Sequence, residues 1–322
     1  MNRIRIALAA LALVAAPLAA QDEAADTVQL RFGWQPGMRA EVEMAQVRIR
    51  DTEARRDSVR MASSYRMQVA GHPEGLAVTY AHVRWTDVPD DAGPEIRRLF
   101  DAMAASGSGG RARNIVTRGG EFVRVEGAEE TAREVTAALE PLFAEVDEAG
   151  LANLRQMLSG MISPEALSAA AADEWNALVG AWVDADLEVG AVYALESSFQ
   201  APVFPGVEIP VSLQFQVEGW TPCTETDGDG EEPCVALVMI SQPDAEVVAG
   251  AVRGILEQAG LPVEEAGDLF APLAVETFVS LVAEPATLRP HRLEIQRVVT
   301  GSDEEDAPMQ TDTRVYTYRY VP

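Results

Sequence analysis

The chain contains no lysine, and all 25 of its basic residues are arginines. A Walker phosphate loop, a protein-kinase centre and a Schiff-base site each need a lysine amine, so none of them can be built here. Histidine is nearly as scarce, with only His72, His82 and His291. None of the three stands in a His-Glu-x-x-His or other paired metal spacing, and no Gly-x-Ser-x-Gly elbow is present. His72 and His291 adjoin prolines at turns, while His82 falls on the apolar phase of its strand, where a core histidine belongs. These absences predict a noncatalytic protein with no cofactor and no metal.

Cysteine is limited to Cys223 and Cys234, which flank Thr-Glu-Thr-Asp-Gly-Asp-Gly-Glu-Glu-Pro. In an exported chain this pair reads as a disulfide closing a loop between two antiparallel strands, worth about 3 kcal/mol. A metal site would need more soft ligands than two thiols with no neighbouring histidine. The enclosed loop from Glu225 to Gly230 has the acids and glycine that open a calcium loop. Position twelve is Ala236, where the bidentate glutamate is required, so a solvated turn is the better account.

Positive charge is also short. The formal charge is −26, and without Arg3 and Arg5 of the leader it is −28, 23 basic against 51 acidic residues. Nucleic acid is excluded as a partner, because phosphate binding depends on basic side chains that displace counterions. The acidity reads as a solvated, self-repelling surface.

Long hydrophobic runs are missing except at the start, where Arg3 and Arg5 precede an apolar segment from Ile6 to Ala16 and a Pro-Leu-Ala-Ala end. This is the pattern of a secretory signal peptide spanning 1–20, and it places the mature protein outside the cytoplasm, in the periplasm, without a membrane span. A disordered mature N-terminus is expected over 21–27, followed by a single α+β domain over 28–322.

The clearest positive signal is Val207 to Val217, in which Val207, Ile209, Val211, Leu213, Phe215 and Val217 alternate with polar residues. Successive strand side chains point to opposite faces, so this stretch has one dry and one wet face and reads as the central strand of an antiparallel sheet. Similar alternation runs from Val28 to Val88, with a β-bulge expected near Ala45 and Gln46, where the apolar phase shifts to Val47 and Ile49. A short helix follows from Asp90, then a hairpin from Ile115 to Val125 around Gly119-Gly120. Apolar stripes at helical spacing begin at Ala128 and Leu151, and Ser163-Pro164-Glu165 caps a helix carrying Trp175 and Trp182. Strands return from Tyr193 to the Val207 stretch and Val235 to Ile240, then a helix from Asp244, then three more strands ending in Tyr316, Tyr318 and Tyr320 on one face.

The pattern predicts a large curved antiparallel sheet of about 10–12 strands with helices on its apolar face. Halves at 28–126 and 187–322 share an order of strands, helix and hairpin, joined by a helical segment over 127–186. An internal duplication is one reading of that order, and chance is the other.

Arg31-Phe32, Trp34, Pro36-Gly37, the Gly119-Gly120-Glu121-Phe122-Val123 hairpin and Leu187-Glu188-Val189-Gly190 together resemble a group of secreted bacterial proteins of unknown function. Their architecture is similar to half-barrel lipoprotein carriers of the bacterial envelope, in which a curved antiparallel sheet wraps around helices. The resemblance implies a fold and transfers no catalytic residue.

One-sided strands facing helix stripes with several Met and Trp residues suit an apolar ligand such as a lipid, with Leu213, Phe215, Val217, Trp175 and Trp182 as the ligand-facing candidates. A structural or protein-interaction module with a solid core is the alternative, and a hydrolase using His82 or His291 beside an acid and a serine is third.

Overall fold

The computed structural model of the chain describes residues 26–51, 56–88, 97, 112–139, 162–200, 207–223, 233–258, 274–300 and 309–321. The expected leader, most of the helix expected from Asp90, Pro141, the Leu151 stripe, the calcium-like stretch and the acidic stretch from Ser302 fall outside these residues.

Short strands β1 (Thr27–Gln29) and β7 (Asp186–Glu188) pair with each other. Disorder through residue 27 is therefore corrected at its end: Thr27 opens a strand, and the Asp26 carboxylate accepts a hydrogen bond from Trp220 Nε1 at 2.8 Å. Among the described residues, eleven further strands form one antiparallel sheet. Its first group is β2 (Arg39–Asp51), β3 (Arg56–His72), β4 (Gly75–Asp87), β5 (Arg113–Val116) and β6 (Phe122–Glu126). Its second is β8 (Val192–Gln200), β9 (Glu208–Thr221), β10 (Cys234–Pro243), β11 (Ala274–Ala283), β12 (Pro290–Thr300) and β13 (Met309–Tyr320).

The spatial order is β6-β5-β4-β3-β2-β13-β12-β11-β10-β9-β8. Neighbours are consecutive in sequence except where β2 meets β13, so the last strand of the chain lies in the middle of the sheet. The Val207 stretch becomes β9, one strand from the edge, and not the centre. Its clean alternation reports that one face is dry and the other wet, a property of faces that carries no information on lateral position.

The bulge expected at Ala45 and Gln46 is absent. Strand β2 pairs with β3 and with β13 over its whole length without a register shift. Gln46 is buried and stays on the same face as Val42 and Met44, and the phase appeared to shift only because that inner face turns polar at this level.

Among the described residues the helical elements are α1 (Ala128–Leu139), α2 (Pro164–Trp175), a π-helical turn (Asn176–Gly180) that continues it, and α3 (Ala245–Gln258). Ser163 caps α2 as its sequence foretold, accepting from the Ala166 amide at 3.0 Å, and Asp244 does the same for α3 through the Glu246 and Val247 amides. Helix α1 contacts chiefly α2, and α3 touches β9. The deepest insertion comes from the end of α2 and the π-turn, where Trp175, Leu178, Val179 and Trp182 join the main core.

Two contacts show that the sheet is rolled. Trp175 Nε1 donates to the Gly120 carbonyl, in the turn between β5 and β6, at 2.7 Å. Trp182 meets Phe215 of β9 edge-on, with ring centroids 5.6 Å apart. Strands β6 and β9 are nine strand spacings apart in the sheet, roughly 43 Å if it were flat. Seven residues of helix rise only about 10 Å. One helical segment can touch both only if the sheet curls and brings its two ends toward each other. Gly120 is needed at this seam: its φ is +91°, and a Cβ there would meet the Phe32 ring at 2.7 Å.

Candidate ligand-binding face

Residues opposed in antiparallel register share a face, so the pairing reads as rows across the inside of the roll. Toward the Trp34 end the rows are dry. Val217, Leu237, Leu281, Leu293 and Tyr316 stand in one such row, all buried in the main core together with Trp34, Trp175 and Trp182.

Two rows further along, the inner face changes character. Leu195, Leu213, Ser241, Thr277, Arg297, Asp312 and Arg48 oppose one another from β8 to β2. The row between reads Tyr193, Phe215, Met239, Val279, Ile295, Arg314 and Gln46. The β8–β9 side is therefore apolar and the β12–β13–β2 side is charged. From Leu213 to Arg297 is three strand spacings, roughly 14 Å.

The apolar side is open. Leu195 is 54% exposed, Phe199 41% and Tyr193 36%, all on edge strand β8. Leu213 and Phe215 beside them are half-buried. Of the five residues singled out from sequence, Phe215 bridges this open file to the core through Trp182, and Leu213 lies next to Leu195 outside the core cluster. Val217, Trp175 and Trp182 are closed to solvent and belong to the main core. Sequence reasoning missed Tyr193, Leu195 and Phe199 as surface, because alternation tells which face a side chain takes but not whether anything covers it.

The charged side is built around Asp312, a buried carboxylate on β13. It accepts from Gln46 Nε2 at 2.8 and 2.9 Å and from Arg48 Nε and Nη2 at 2.9 and 2.7 Å, with Arg314 Nε at 3.4 Å. Burial alone would raise its pKa. The hydrogen bonds from Arg48 and Gln46 and the two guanidinium charges outweigh that and hold it below the usual carboxylate range. Arg297 and Arg314 are exposed within the roll.

Helix α2 adds two acids. Burial pushes the Glu174 carboxyl up, against the opposing charge of Arg314, and Glu174 lies within electrostatic reach of Tyr65, Tyr80, Tyr316 and Tyr318. Asp173 is raised in the same way, against Arg297. Both residues retain exposed surface. The tyrosines are pushed up by the same burial and stay protonated.

Two surface depressions of about 560 and 340 Å³ open near the Trp34 turn and on the β2–β13 rim, and the inner-face arginines line neither.

The histidines do not sit where sequence placed them. His82 is exposed at a positive φ of 58°, where the β3–β4 register slips, and is not a core residue. His72 faces Glu126, with Nε2 3.6 Å from the carboxylate. His291 Nε2 lies 3.2 Å from Glu284 Oε1. The Thr287 hydroxyl there donates to Glu284 at 2.7 Å, so it serves the acid and not the imidazole. Cys223 and Cys234 form the expected disulfide, which is the state an oxidising, extracytoplasmic compartment permits. Contrary to the sequence expectation, a histidine does neighbour the cysteines: one ligand atom from each of Cys223, Cys234 and His291 lies within 4.8 Å of the others. Among the described residues, no helix is long and apolar enough to cross a membrane.

No family model and no curated protein matches the chain. Among solved structures, a crystal structure of an outer membrane channel from Pseudomonas putida F1 aligns with 90% of this chain and 98% of its own at 6% identity. Its TM-score of 0.17 is too low to carry an argument about fold or function.

Proposed function

We propose that this is a noncatalytic envelope protein, exported to the periplasm, that holds an amphiphile such as a lipid or fatty acid on the inner face of its rolled sheet. The observation that carries the reading is the open apolar file of Tyr193, Leu195, Phe199, Leu213 and Phe215, continuous across the sheet with the arginines at 48, 297 and 314. A hydrocarbon chain laid on β8–β9 gains roughly 0.8 kcal/mol per buried methylene. Its anionic end would then reach Arg297, whose guanidinium forks around a carboxylate or phosphate. Binding sites of this kind are mostly apolar walls with a few convergent polar groups.

Native mass spectrometry of protein purified without detergent is the direct test, followed by titration with a fluorescent fatty acid. Leu195→Glu with Leu213→Glu should abolish binding, and Arg297→Ala should weaken a fatty acid while sparing the corresponding alcohol. Consistently ligand-free protein that also fails to take up the probe sinks the proposal.

A second reading rests on a separate observation. Among the described residues strand β8 is a sheet edge, its outer face also carries Val192, 61% exposed, and an edge of this kind can pair with a strand of another protein. That reading expects β8 variants to abolish capture of a partner chain while fatty-acid uptake is absent from wild type as well.

A further inference from the structure

The ends of β9, β10, β11 and β12 meet at one rim of the sheet, because each strand returns antiparallel beside the last. There they gather Cys223, Cys234 at the start of β10, Glu284 just beyond β11, and His291 at the second position of β12. Cys234 is fully buried, Cys223 is 9% exposed and the His291 side chain 10%. One ligand atom from each of the two cysteines and His291 lies within 4.8 Å of the others. The atoms around a tetrahedral zinc ion, with Zn–S near 2.3 Å and Zn–N near 2.0 Å, stand roughly 3.3–3.8 Å apart. Small side-chain rotations cover the difference once the sulfurs are no longer bonded.

We infer that the reduced protein is a metal site, in which the Cys223 and Cys234 thiolates and the His291 imidazole bind one divalent d¹⁰ ion of the zinc type, and that the disulfide is its closed, oxidised form. The interconversion balances. A dithiol donor transfers two electrons and two protons to the Cys223–Cys234 bond, leaving two thiols here and a disulfide on the donor. Metal binding then displaces the two thiol protons to water.

The surroundings are already those of a metal-bound histidine. Glu284 engages Nε2 of His291 at 3.2 Å, and ligation through Nδ1 would complete the arrangement by which a carboxylate orients a metal-bound imidazole. Glu284 is itself fixed by the Thr287 hydroxyl at 2.7 Å and by Arg289 Nη2 at 3.2 Å. Charge also selects the ion. Two thiolates with a divalent cation are neutral, and so are Glu284 with Arg289, so a divalent ion leaves no net charge at this rim while a monovalent one leaves an anion. This site is separate from the amphiphile face, and its test is independent of that proposal.

The probes are Co²⁺ and Zn²⁺ alone, added to protein reduced anaerobically with a phosphine and, in parallel, to the oxidised protein. Reduced wild type is expected to bind one cobalt with a thiolate-to-metal charge-transfer band that the oxidised protein lacks. Diffuse binding to the acidic surface produces no such band. His291→Ala should weaken cobalt at least tenfold, and Glu284→Gln about tenfold, while each still forms the disulfide on oxidation. X-ray absorption on the zinc form of wild type should show two sulfur ligands and one imidazole, a readout that does not depend on any variant folding. Absence of the charge-transfer band, an imidazole-free zinc shell, or unchanged cobalt affinity in a folded His291→Ala overturns the inference.

Discussion

Replacing Trp175 with phenylalanine tests the seam that holds the sheet in its roll. Trp175 is 1% exposed, its ring lies 5.2 Å from Trp34 and 6.1 Å from Phe32, and its indole N–H donates to Gly120 at 2.7 Å. Phenylalanine retains most of the ring packing and removes the donor. The Gly120 carbonyl is then left in a buried turn without its partner, a cost of about 1–3 kcal/mol. The lost portion of the indole adds about 1 kcal/mol of packing and aromatic contact. The expected total is about 2–4 kcal/mol, seen as a lower urea midpoint with an unchanged slope. Trp220→Phe is the control, because that indole also donates a hydrogen bond, to Asp26 at 2.8 Å, but is 46% exposed. Its cost should be about 0.5 kcal/mol or less. If the two variants unfold at the same midpoint, the Trp175 contact does not close the roll.

Three further outcomes are expected. Asp312 has a depressed pKa, so its contribution is present above the unfolded carboxylate range and is lost as pH falls through the lower folded value. Asp312→Asn should therefore cost about 1 kcal/mol at neutral pH, discounted for the exposed Arg48 side chain, and converge on wild type in urea titrations as the pH falls through the lowered folded value. Glu174 is shifted the other way, so stability is full below the unfolded carboxylate range and is lost as pH rises through the folded value. Glu174→Gln should raise the urea midpoint at neutral pH and leave it unchanged in acid, and a variant no more stable than wild type at pH 7 contradicts the stated burial. Double replacement of Cys223 and Cys234 by alanine, which opens a loop of sequence separation 11, should cost about 3 kcal/mol in calorimetry.

Much of the fold was legible because its signals are local. Alternation found the strands, Ser163 and Asp244 marked helix starts through amides within three residues, and the glycines at 119 and 120 marked a hairpin. The errors share one cause. Gln46 and Arg48 looked like a break in phase because the sequence does not show that Asp312, more than 260 residues away, faces them. His82 looked like a core residue because a register slip in β3–β4 leaves no mark in hydropathy. His291 was dismissed as a partner for the cysteines because it lies 57 residues beyond Cys234 in the chain.

The sequence alone excluded lysine chemistry, paired the cysteines, and assigned apolar and polar faces to β9. The tertiary structure decided that the C-terminal strand is the middle of the sheet, that the sheet is rolled about Trp175 and Trp182, and that its inner face runs from Leu195 and Leu213 to Arg297 and Asp312. Strand periodicity is a property of neighbouring residues. Strand order, curvature and the meeting of distant side chains depend on long-range pairing, for which a single sequence carries no local signal.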